Sequence, residues 1–365
     1  MPIHTLEITN VRNLQRALLQ CSLQCNLIIG PNGSGKTSLL ESIIILSQGK
    51  SFRNSQKKSI ISEGNTSLTV TALLHDQTSN SPLHGTRVGI SKFANGKTLA
   101  KIASEKIQRI SEITSLLPVC VIEPNSTEIV EGSPSLRRNV LDWGVFHVEH
   151  DFVKHWRIFS SALKQRNALL KHKSSDLSQL RYWDEQLAPA AEQITKLRRR
   201  YFKDLDKHLR SSLDYFFNDE SVTVELLDGW DSEKHFFESL NRNIERDKRY
   251  GFTSVGPHKA DFEIKSDGYL AKDYLSRGQK KLAVYAIRLA QVLHYQQVCG
   301  KNVTLLLDDL PSELDKDNCE KVCKEIKRIE CQVFITSVDT SNLNSLIIDT
   351  LSPKLFHVKH GTVTA

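Results

Sequence analysis

GPNGSGKT, at residues 30–37, decides the fold class of this 365-residue chain. The apolar run CNLIIG (25–30) leads into it, and SLLESIIILSQ (38–48) follows with the apolar spacing of a helix. The segment fits the pattern G-x-x-x-x-G-K-[ST] in the strand–loop–helix context of a phosphate-binding loop. Glycines let such a loop wrap a polyphosphate, so that successive backbone N–H groups point toward it. The segment therefore predicts a nucleotide site in an α/β protein.

The side chains of this loop have separate predicted roles. Lys36 would reach the β- and γ-phosphates, which also makes it a candidate catalytic residue, and the hydroxyl of Thr37 would ligate Mg²⁺. The nucleotide-binding residues predicted from the segment are Gly30, Pro31, Asn32, Gly33, Ser34, Gly35, Lys36, Thr37 and Ser38.

A second apolar strand ends in two carboxylates, in VTLLLDDLPSELD (303–315). A carboxylate at the C-terminal edge of a strand beside the phosphate loop can hold the Mg²⁺ shell, which assigns Asp308 to the metal. Asp309 would face the attacking water as a general base. Taken alone, the pair could instead be an N-cap or turn feature. Its combination with the phosphate loop favours the functional interpretation.

A third segment, DYLSRGQKK (273–281), places a serine, a glycine and several cations at the predicted N-terminus of a helix. Helix N-termini carry partial positive charge and free N–H groups, so they suit an anion. The three segments together resemble the ATP-binding-cassette ATPases, in which the serine–glycine signature closes on a nucleotide held by a second copy. The resemblance implies that the partner's ATP is contacted by Ser276, Arg277, Gly278 and Gln279. It also implies that Asp315 belongs to the D-loop.

The remaining pattern predicts an ATPase head that is split in sequence by a mainly helical insertion. About 240 residues separate Thr37 from Ser276, and such an insertion is typical of the SMC and DNA-repair branch of these ATPases. The predicted parts are an N-terminal head part at 1–124, a helical lid or arm at 125–250, and a C-terminal head part with the signature and Walker B segments at 251–365. We expect a long helix with an apolar stripe at 194–213 and Pro189 near its first turn.

Within that branch the chain resembles the RecF family. The segments that carry the resemblance are ITNVRNL (8–14), GPNGSGKTSLLESI (30–43), GKSFR (49–53), GSPSLRRNVLDWGVFH (132–147), GPHKAD (256–261), LSRGQKK (275–281) and LLLDDLPSELD (305–315). They span nearly the whole chain in family order, and in the first of them Arg12 and Asn13 are further candidates for nucleotide contact.

The resemblance implies an ATP-dependent DNA-binding clamp that dimerises on ATP and is released by slow hydrolysis. It would act in recombinational repair of gapped DNA, helping RecA to load together with RecO and RecR, and in replication and the SOS response. The implied cofactors are ATP and Mg²⁺. The implied partners are a second copy, double-stranded DNA and ss/dsDNA junctions, RecR and RecO directly, and RecA indirectly. The implied location is the cytoplasm.

The chain departs from the wider cassette pattern at three places. Asp309 stands where glutamate is usual and is one methylene shorter, so slow turnover is expected. Thr336 and Ser337 stand where a histidine is usual. The segment VCVIEPNS (119–126) contains no glutamine, so the water-positioning loop of transporters cannot be placed there.

The formal charge of +7 is concentrated in the predicted insertion. Residues 151–210 contain 14 Lys/Arg and 7 Asp/Glu, a difference of +7, so the rest of the chain is nearly balanced. A basic surface suggests nucleic acid, and the candidate DNA contacts are Lys196, Arg198, Arg199 and Arg200. The alternative interpretation is that these cations form the solvated face of a helix. The alternative roles for Arg137, Arg138, His258 and Lys259 are binding of nucleotide and internal ion pairs.

Composition limits the other possibilities. No apolar run approaches 18 residues, so no transmembrane helix or membrane partner is expected. Seven cysteines without a secretory signal favour free thiols in a reducing compartment. The alternatives are a P-loop small-molecule kinase, a transporter ATPase subunit, another ABC/SMC-like ATPase, and a clamp that binds ATP but hardly hydrolyses it. The first two leave the signature segment or the spacing of the motifs unexplained.

Overall fold

The computed structural model describes residues 1–51, 60–75, 85–171, 177–218, 222–338 and 342–364. These residues form two compact units. The first unit comprises Met1–Ser126 and Tyr295–Ala365, and the second comprises Thr127–His294. Residues 52 and 53 of the GKSFR segment lie outside the described ranges.

The secondary structure alternates between strands and helices along most of the chain. The strands are β1 (Ile3–Val11), β2 (Leu14–Gln20), β3 (Cys25–Ile29), β4 (Ser67–His75), β5 (Gly85–Phe93), β6 (Thr98–Ile102), β7 (Glu105–Ile107), β8 (Val119–Ile122), β9 (Val222–Leu227), β10 (Asp261–Ser266), β11 (Tyr269–Leu270), β12 (Thr304–Leu307), β13 (Gln332–Ser337), β14 (Lys354–Lys359) and β15 (Thr362–Thr364). The helices are α1 (Lys36–Gln48), α2 (Ser111–Leu116), α3 (Glu128–Glu131), α4 (Pro134–Val148), α5 (Phe152–Lys171), α6 (Leu177–Phe217), α7 (Phe236–Tyr250), α8 (Ala271–Tyr274), α9 (Arg277–Cys299), α10 (Leu310–Glu313), α11 (Lys316–Ile329) and α12 (Asn342–Leu351).

The first unit contains two sheets with α1 between them. One sheet is antiparallel, in the order β2-β1-β4-β5-β6-β7. The other has the order β15-β14-β3-β13-β12-β8, and its strands are parallel except for β15. One apolar cluster joins buried residues of both sheets with Leu39, Leu40, Ile43 and Ile44 of α1. Every position of β3, β12 and β13 is buried, and burial on both faces explains why these strands are rich in apolar residues and do not alternate with exposed ones. The predicted buried strands are confirmed.

The parallel sheet positions the predicted site. β3, β13 and β12 are adjacent and run in the same direction, so their carboxyl ends meet at one edge. The phosphate loop follows β3, the acidic pair follows β12, and β13 ends in Thr336 and Ser337. In parallel α/β sheets, ligands bind outside the carboxyl ends of the strands.

The second unit is mainly helical and contains a small sheet in the order β11-β10-β9. Its longest helix, α6, buries the predicted stripe of Ile194, Leu197, Tyr201, Leu205, Leu209 and Leu213. The expected position of Pro189 is wrong, because α6 already begins at Leu177 and Pro189 lies inside it. Pro removes one helical hydrogen bond, but its neighbours Leu187, Ala188, Ala190 and Ala191 are buried, and this packing keeps the helix continuous.

The sequence assigned residues 251–294 to the C-terminal part of the head, whereas these residues belong to the second unit. Strand pairing explains the difference, since β10 pairs with β9 from Asp261↔Leu227 to Ser266↔Val222. The predicted hairpin at Asp267-Gly268 joins β10 to β11 and is confirmed, with φ values of 50° and 82° that suit a two-residue type I′ turn. In the described ranges, no helix is long and apolar enough to cross a membrane.

Candidate nucleotide-binding site

A cavity of about 830 Å³ opens beside the loop between β3 and α1. Of the predicted residues, it is lined by Arg12, Asn13, Asn32, Gly33, Gly35, Lys36, Thr37, Ser38, Asp308 and Asp309. Among the described residues, Gln15, Ile61, Ser62, Glu63 and Pro124 also line the cavity and were not predicted. The cavity therefore brings together the phosphate loop, the acidic pair and the turn between β1 and β2.

Lys36 is held by the carbonyl groups of its own loop. Its Nζ donates to the carbonyl oxygen of Gly30 at 2.7 Å and to that of Pro31 at 3.1 Å. Burial lowers the pKa of the Lys36 ammonium, while the charges of Asp309 and Asp308 oppose that shift. A Cβ at Gly30 would lie 2.2 Å from the carbonyl oxygen of Val358, so only glycine fits there. Gly30 and Pro31 thus shape the loop and position its lysine.

Thr37 and Asp308 meet at the edge of the parallel sheet. The Thr37 hydroxyl donates to Oδ1 of Asp308 at 3.1 Å, although the two residues are 271 positions apart. Thr336 donates to the same Oδ1 at 2.7 Å and accepts a hydrogen bond from the backbone N–H of Asp309 at 2.8 Å. Mg²⁺ commonly uses one or two protein oxygens together with phosphates and water. The hydroxyl and carboxylate pair therefore fits Mg²⁺.

Asp309 has a structural partner as well as a place in the cavity wall. Its Oδ1 accepts a hydrogen bond from the Ser312 hydroxyl at 2.9 Å. Its backbone is left-handed, with φ at 58°, a conformation in which Asp is more frequent than most residues. The sequence allowed either a turn role or a catalytic role for Asp309. The two roles are compatible, because the turn at the start of α10 holds the carboxylate in one orientation.

The turn between β1 and β2 is tied to α1 by side chains. Arg12 donates to both carboxylate oxygens of Glu41 at 2.8 Å, and hydrogen bonding to Glu41 raises the pKa of Arg12. Asn13 donates to the carbonyl oxygen of Gly33 at 3.1 Å and accepts from the Ser38 hydroxyl at 2.9 Å. The sequence analysis missed Glu41, although a single acid within the apolar run of α1 was the signal for a buried ion pair.

The signature segment lies in the second unit at the start of α9. Ser276, Arg277 and Gly278 are exposed. The side chain of Gln279 accepts from the N–H of Ser276 at 2.8 Å, and the Ser276 hydroxyl accepts from the N–H of Gln279 at 3.3 Å. This reciprocal pair is a capping box. A Cβ at Gly278 would meet no atom within 4 Å, so the backbone there is open to approach.

Asp315, the predicted D-loop residue, is the N-cap of α11. Its two carboxylate oxygens accept hydrogen bonds from the backbone N–H and the side-chain amide of Asn318, both at 2.8 Å. Its side chain thus has a clear local role.

Arg198 must be removed from the candidate DNA contacts. It is only 2% exposed, and its guanidinium donates to both carboxylate oxygens of Asp142 at 2.8 and 2.9 Å and to the carbonyl oxygen of Pro257 at 2.6 Å. The guanidinium also lies 5.5 Å from the ring centroid of Trp156. A buried and paired guanidinium is not available to a phosphate.

The other three candidates on α6 are exposed. Arg199 pairs with Asp228 at 2.6 Å, and Arg200 pairs with Glu149. Lys196 lines a shallow cavity of about 540 Å³ together with Arg199. Arg199 and Arg200 would have to exchange these carboxylate partners to contact a phosphate.

The segments of unknown role are linked to each other inside the second unit. Arg137 donates to both carboxylate oxygens of Asp261 at 2.7 and 2.9 Å, and Arg138 donates to the carbonyl oxygen of Ala260 at 2.8 Å. Nε2 of His258 lies 2.9 Å from the carbonyl oxygen of Thr253, and burial lowers the pKa of His258 to about 4. For Arg137 the internal ion pair is therefore the observed role.

Comparison with known proteins identifies the family. A family model described as the RecF/RecN/SMC N-terminal domain matches residues 2–363. A protein of Idiomarina loihiensis named DNA replication and repair protein RecF is 40% identical over 363 residues, which cover 100% of this chain and 99% of that protein. The chain belongs to the RecF family. A second RecF, from Marinomonas sp., is 38% identical over 364 residues, with 100% and 98% covered.

Solved structures agree with this assignment. A structure of the recombination mediator protein RecF with ATP, in the RecFOR pathway, has a TM-score of 0.87 and 26% identity, and covers 100% of this chain and 97% of that one. An SMC head bound to the C-terminal winged-helix domain of ScpA has a TM-score of 0.60 and 15% identity, with 100% and 96% covered, which is a likeness of fold. The RecF-family fold is thus the ABC-type, SMC-like ATPase head. Family membership argues against the kinase and transporter alternatives.

Proposed function

We propose that this RecF-family protein binds ATP with Mg²⁺, pairs with a second copy in that state, and acts on DNA in recombinational repair and replication. The observation that carries the proposal is the contact of Thr37 with Asp308 beside Lys36, in a cavity lined by the phosphate loop. The related proteins are named DNA replication and repair protein RecF, and the neighbouring structure is RecF with ATP.

The residues of the cavity support a division of labour on the nucleotide. Lys36 would exchange its two carbonyl partners for phosphate oxygens, and the loop N–H groups would hold the phosphate chain. Thr37 and Asp308 would hold Mg²⁺, which neutralises charge on the phosphates. Asp309, oriented by Ser312, would accept a proton from the attacking water. Its short side chain supports slow hydrolysis.

The signature segment supports pairing with a second copy. Its serine hydroxyl and the backbone at Gly278 are exposed at the N-terminus of a 23-residue helix, where partial positive charge favours an anion. We propose that this anion is the γ-phosphate on the partner subunit. Two composite sites would then make the dimer depend on ATP, and hydrolysis would release it.

The place of this protein in repair is proposed from its relatives. The neighbouring structure is described as a recombination mediator in the RecFOR pathway, which supports RecO and RecR as partners and RecA loading at gapped DNA as the outcome. A role in the SOS response and a cytoplasmic location belong to the same proposal. Lys196, Arg199 and Arg200 remain proposed contacts to duplex phosphates.

Binding to a labelled gapped duplex tests this function. With Mg²⁺, we expect affinity at least about tenfold higher in ATP than in ADP or without nucleotide, because a dimer engages DNA with two subunits. Lys36→Ala should abolish this difference, whereas Lys97→Ala, an exposed lysine outside the cavity, should keep it. Equal affinity of the unmodified protein in all three nucleotide states would refute the proposal.

A further inference from the structure

Two exposed tyrosines stand directly before the signature segment. Tyr269 is 65% exposed and Tyr274 is 55% exposed. Their rings are stacked, with centroids 5.5 Å apart and an interplanar angle of 15°. Ser276 follows Tyr274 by two positions, and all three residues belong to the second unit. Aromatic rings gain free energy when another flat ring stacks on them, so a ligand for this exposed pair has to be considered.

Local structure holds the two rings in place. Tyr269 lies on β11, which pairs with β10. Tyr274 ends α8, whose first residue, Ala271, is fully buried, and Leu275, the next residue, is also buried. The N–H of Leu275 donates to the carbonyl oxygen of Ala271 at 3.0 Å, and the capping box of α9 then fixes Ser276. The rings and the signature serine are therefore presented together. We call Tyr269 and Tyr274 the tyrosine platform.

The platform is suited to an uncharged ligand. In the part of the chain that the structure describes, no lysine or arginine lies over the ring of Tyr269 or Tyr274. A surface that binds phosphates needs cations or N–H donors at the point of contact, and the faces of these rings offer neither. A flat, neutral, aromatic group fits them better, because it can stack on a ring and release the water there.

The nucleotide cavity offers no such surface to the base of ATP. Among the described residues that line the cavity, none is aromatic, and its apolar side chains are Ile61 and Pro124. Val11 and Leu14, which flank the turn between β1 and β2, are fully buried and cannot serve as a wall. A base stacks well on an aromatic ring. One subunit therefore holds the triphosphate closely but leaves the base without an aromatic partner.

A second copy would supply the missing ring. This contact rests on the proposed function, in which Ser276 meets the γ-phosphate on the partner subunit, and the base lies at the other end of that nucleotide. We infer that the tyrosine platform of one copy stacks on the adenine held in the cavity of the other. Tyr274, the nearer to Ser276 in sequence, contacts the base, and Tyr269 supports it through the observed stack. Dimerisation then depends on the base as well as on the triphosphate.

Removal of the platform tests the contact through the stability of the dimer. The double variant Tyr269→Ala/Tyr274→Ala should form the ATP dimer at least about 25-fold more weakly, because each lost stack is worth roughly fivefold or more and the dimer contains two. The ATP affinity of the monomer should be unchanged, since the rings serve the nucleotide of the other copy. Tyr269→Phe/Tyr274→Phe keeps both rings and should dimerise as the unmodified protein does. Tyr182→Ala, which removes a ring of the second unit with 56% exposure, is the matched control.

A fluorescent base shows whether the rings touch the nucleotide or the partner's protein surface. The triphosphate of 2-aminopurine riboside is an analogue of ATP whose emission is quenched when its base stacks. With the unmodified protein, the emission should fall as the protein concentration is raised and the monomer becomes a dimer. With Tyr269→Ala/Tyr274→Ala, at concentrations high enough to form the dimer, most of this fall should be absent. Tyr269→Phe/Tyr274→Phe should restore it.

The outcomes separate the adenine contact from the proposed dimer. If the unmodified protein stays a monomer in ATP, the proposed dimer is wrong and the contact is refuted with it. If the dimer forms but the double alanine variant dimerises equally well, only the adenine contact is refuted. The same holds if the dimer of that variant quenches the fluorescent base as strongly as the unmodified dimer, or if the unmodified dimer does not quench it.

Discussion

Thr336 organises the two carboxylates at the end of β12. Its hydroxyl donates to Asp308 at 2.7 Å and accepts from the N–H of Asp309 at 2.8 Å. Ser312 adds a hydrogen bond to the Asp309 carboxylate at 2.9 Å. The residue at the position of the usual histidine thus has a structural role behind the cavity, and the proposed base is held by short, uncharged partners.

Asp309→Asn tests the proposed base. The amide keeps the size of the side chain and an oxygen for Ser312, but it cannot take a proton from water. We expect ATP turnover to fall by about 100-fold or more, ATP affinity to change little, and the ATP dimer to live longer. Phosphate release and dimer decay measure these effects. Asp349→Asn, on the exposed face of α12, is the control. Unchanged turnover and dimer lifetime in Asp309→Asn would show that Asp309 is not the base.

The residue-scale geometry was only partly predictable. Lys36, Thr37, Asp308 and Asp309 do line one cavity, because strand ends of a parallel sheet meet at one edge. The partners of Arg12 and Arg198 were not predicted. The Arg12 pair depends on how the turn between β1 and β2 packs on α1, and the Arg198 pair depends on how α6 packs on α4. A run of cations such as 198–200 does not reveal which member faces inward.

At the scale of elements, the start of α9 combines a closed cap with an open surface. The capping box satisfies two N–H groups, and the open backbone at Gly278 leaves room for a ligand. Periodicity predicted this helix and the stripe of α6. Where α6 begins could not be predicted, because the cost of Pro189 is outweighed by burial that only the folded structure reveals.

Ser276→Arg tests the role of this element in pairing. A long cation at the helix N-terminus would block the approach of a partner subunit, and Ser276 belongs to the second unit whereas the phosphate loop belongs to the first. We expect unchanged ATP affinity and loss of the ATP-dependent dimer. Ser276→Ala, which costs about 1 kcal/mol of cap stability but adds no bulk, should retain some dimer. Nucleotide titration measures the ATP affinity, and molar mass in solution measures the ATP-dependent dimer. If Ser276→Arg still dimerises, or no longer binds ATP, the proposed contact in trans is incorrect.

At the scale of the whole molecule, contacts rather than chain order define the units. Residues 251–294 follow the predicted insertion in sequence, yet β10 pairs with β9 and Arg137 pairs with Asp261. Motif order could identify an ATPase head with an insertion. The predicted end of the insertion at residue 250 stays a prediction, whereas the compact second unit extends to His294 because β10 pairs with β9, about 40 residues earlier in the chain.

The central claim is that ATP brings two copies together, and molar mass in solution tests it most directly. The protein should be measured with Mg²⁺ and no nucleotide, with ADP and with ATP, at the same concentration. The account predicts a monomer in the first two conditions and twice the chain mass in ATP. A monomer in all three conditions, or a dimer that forms without nucleotide, would contradict it.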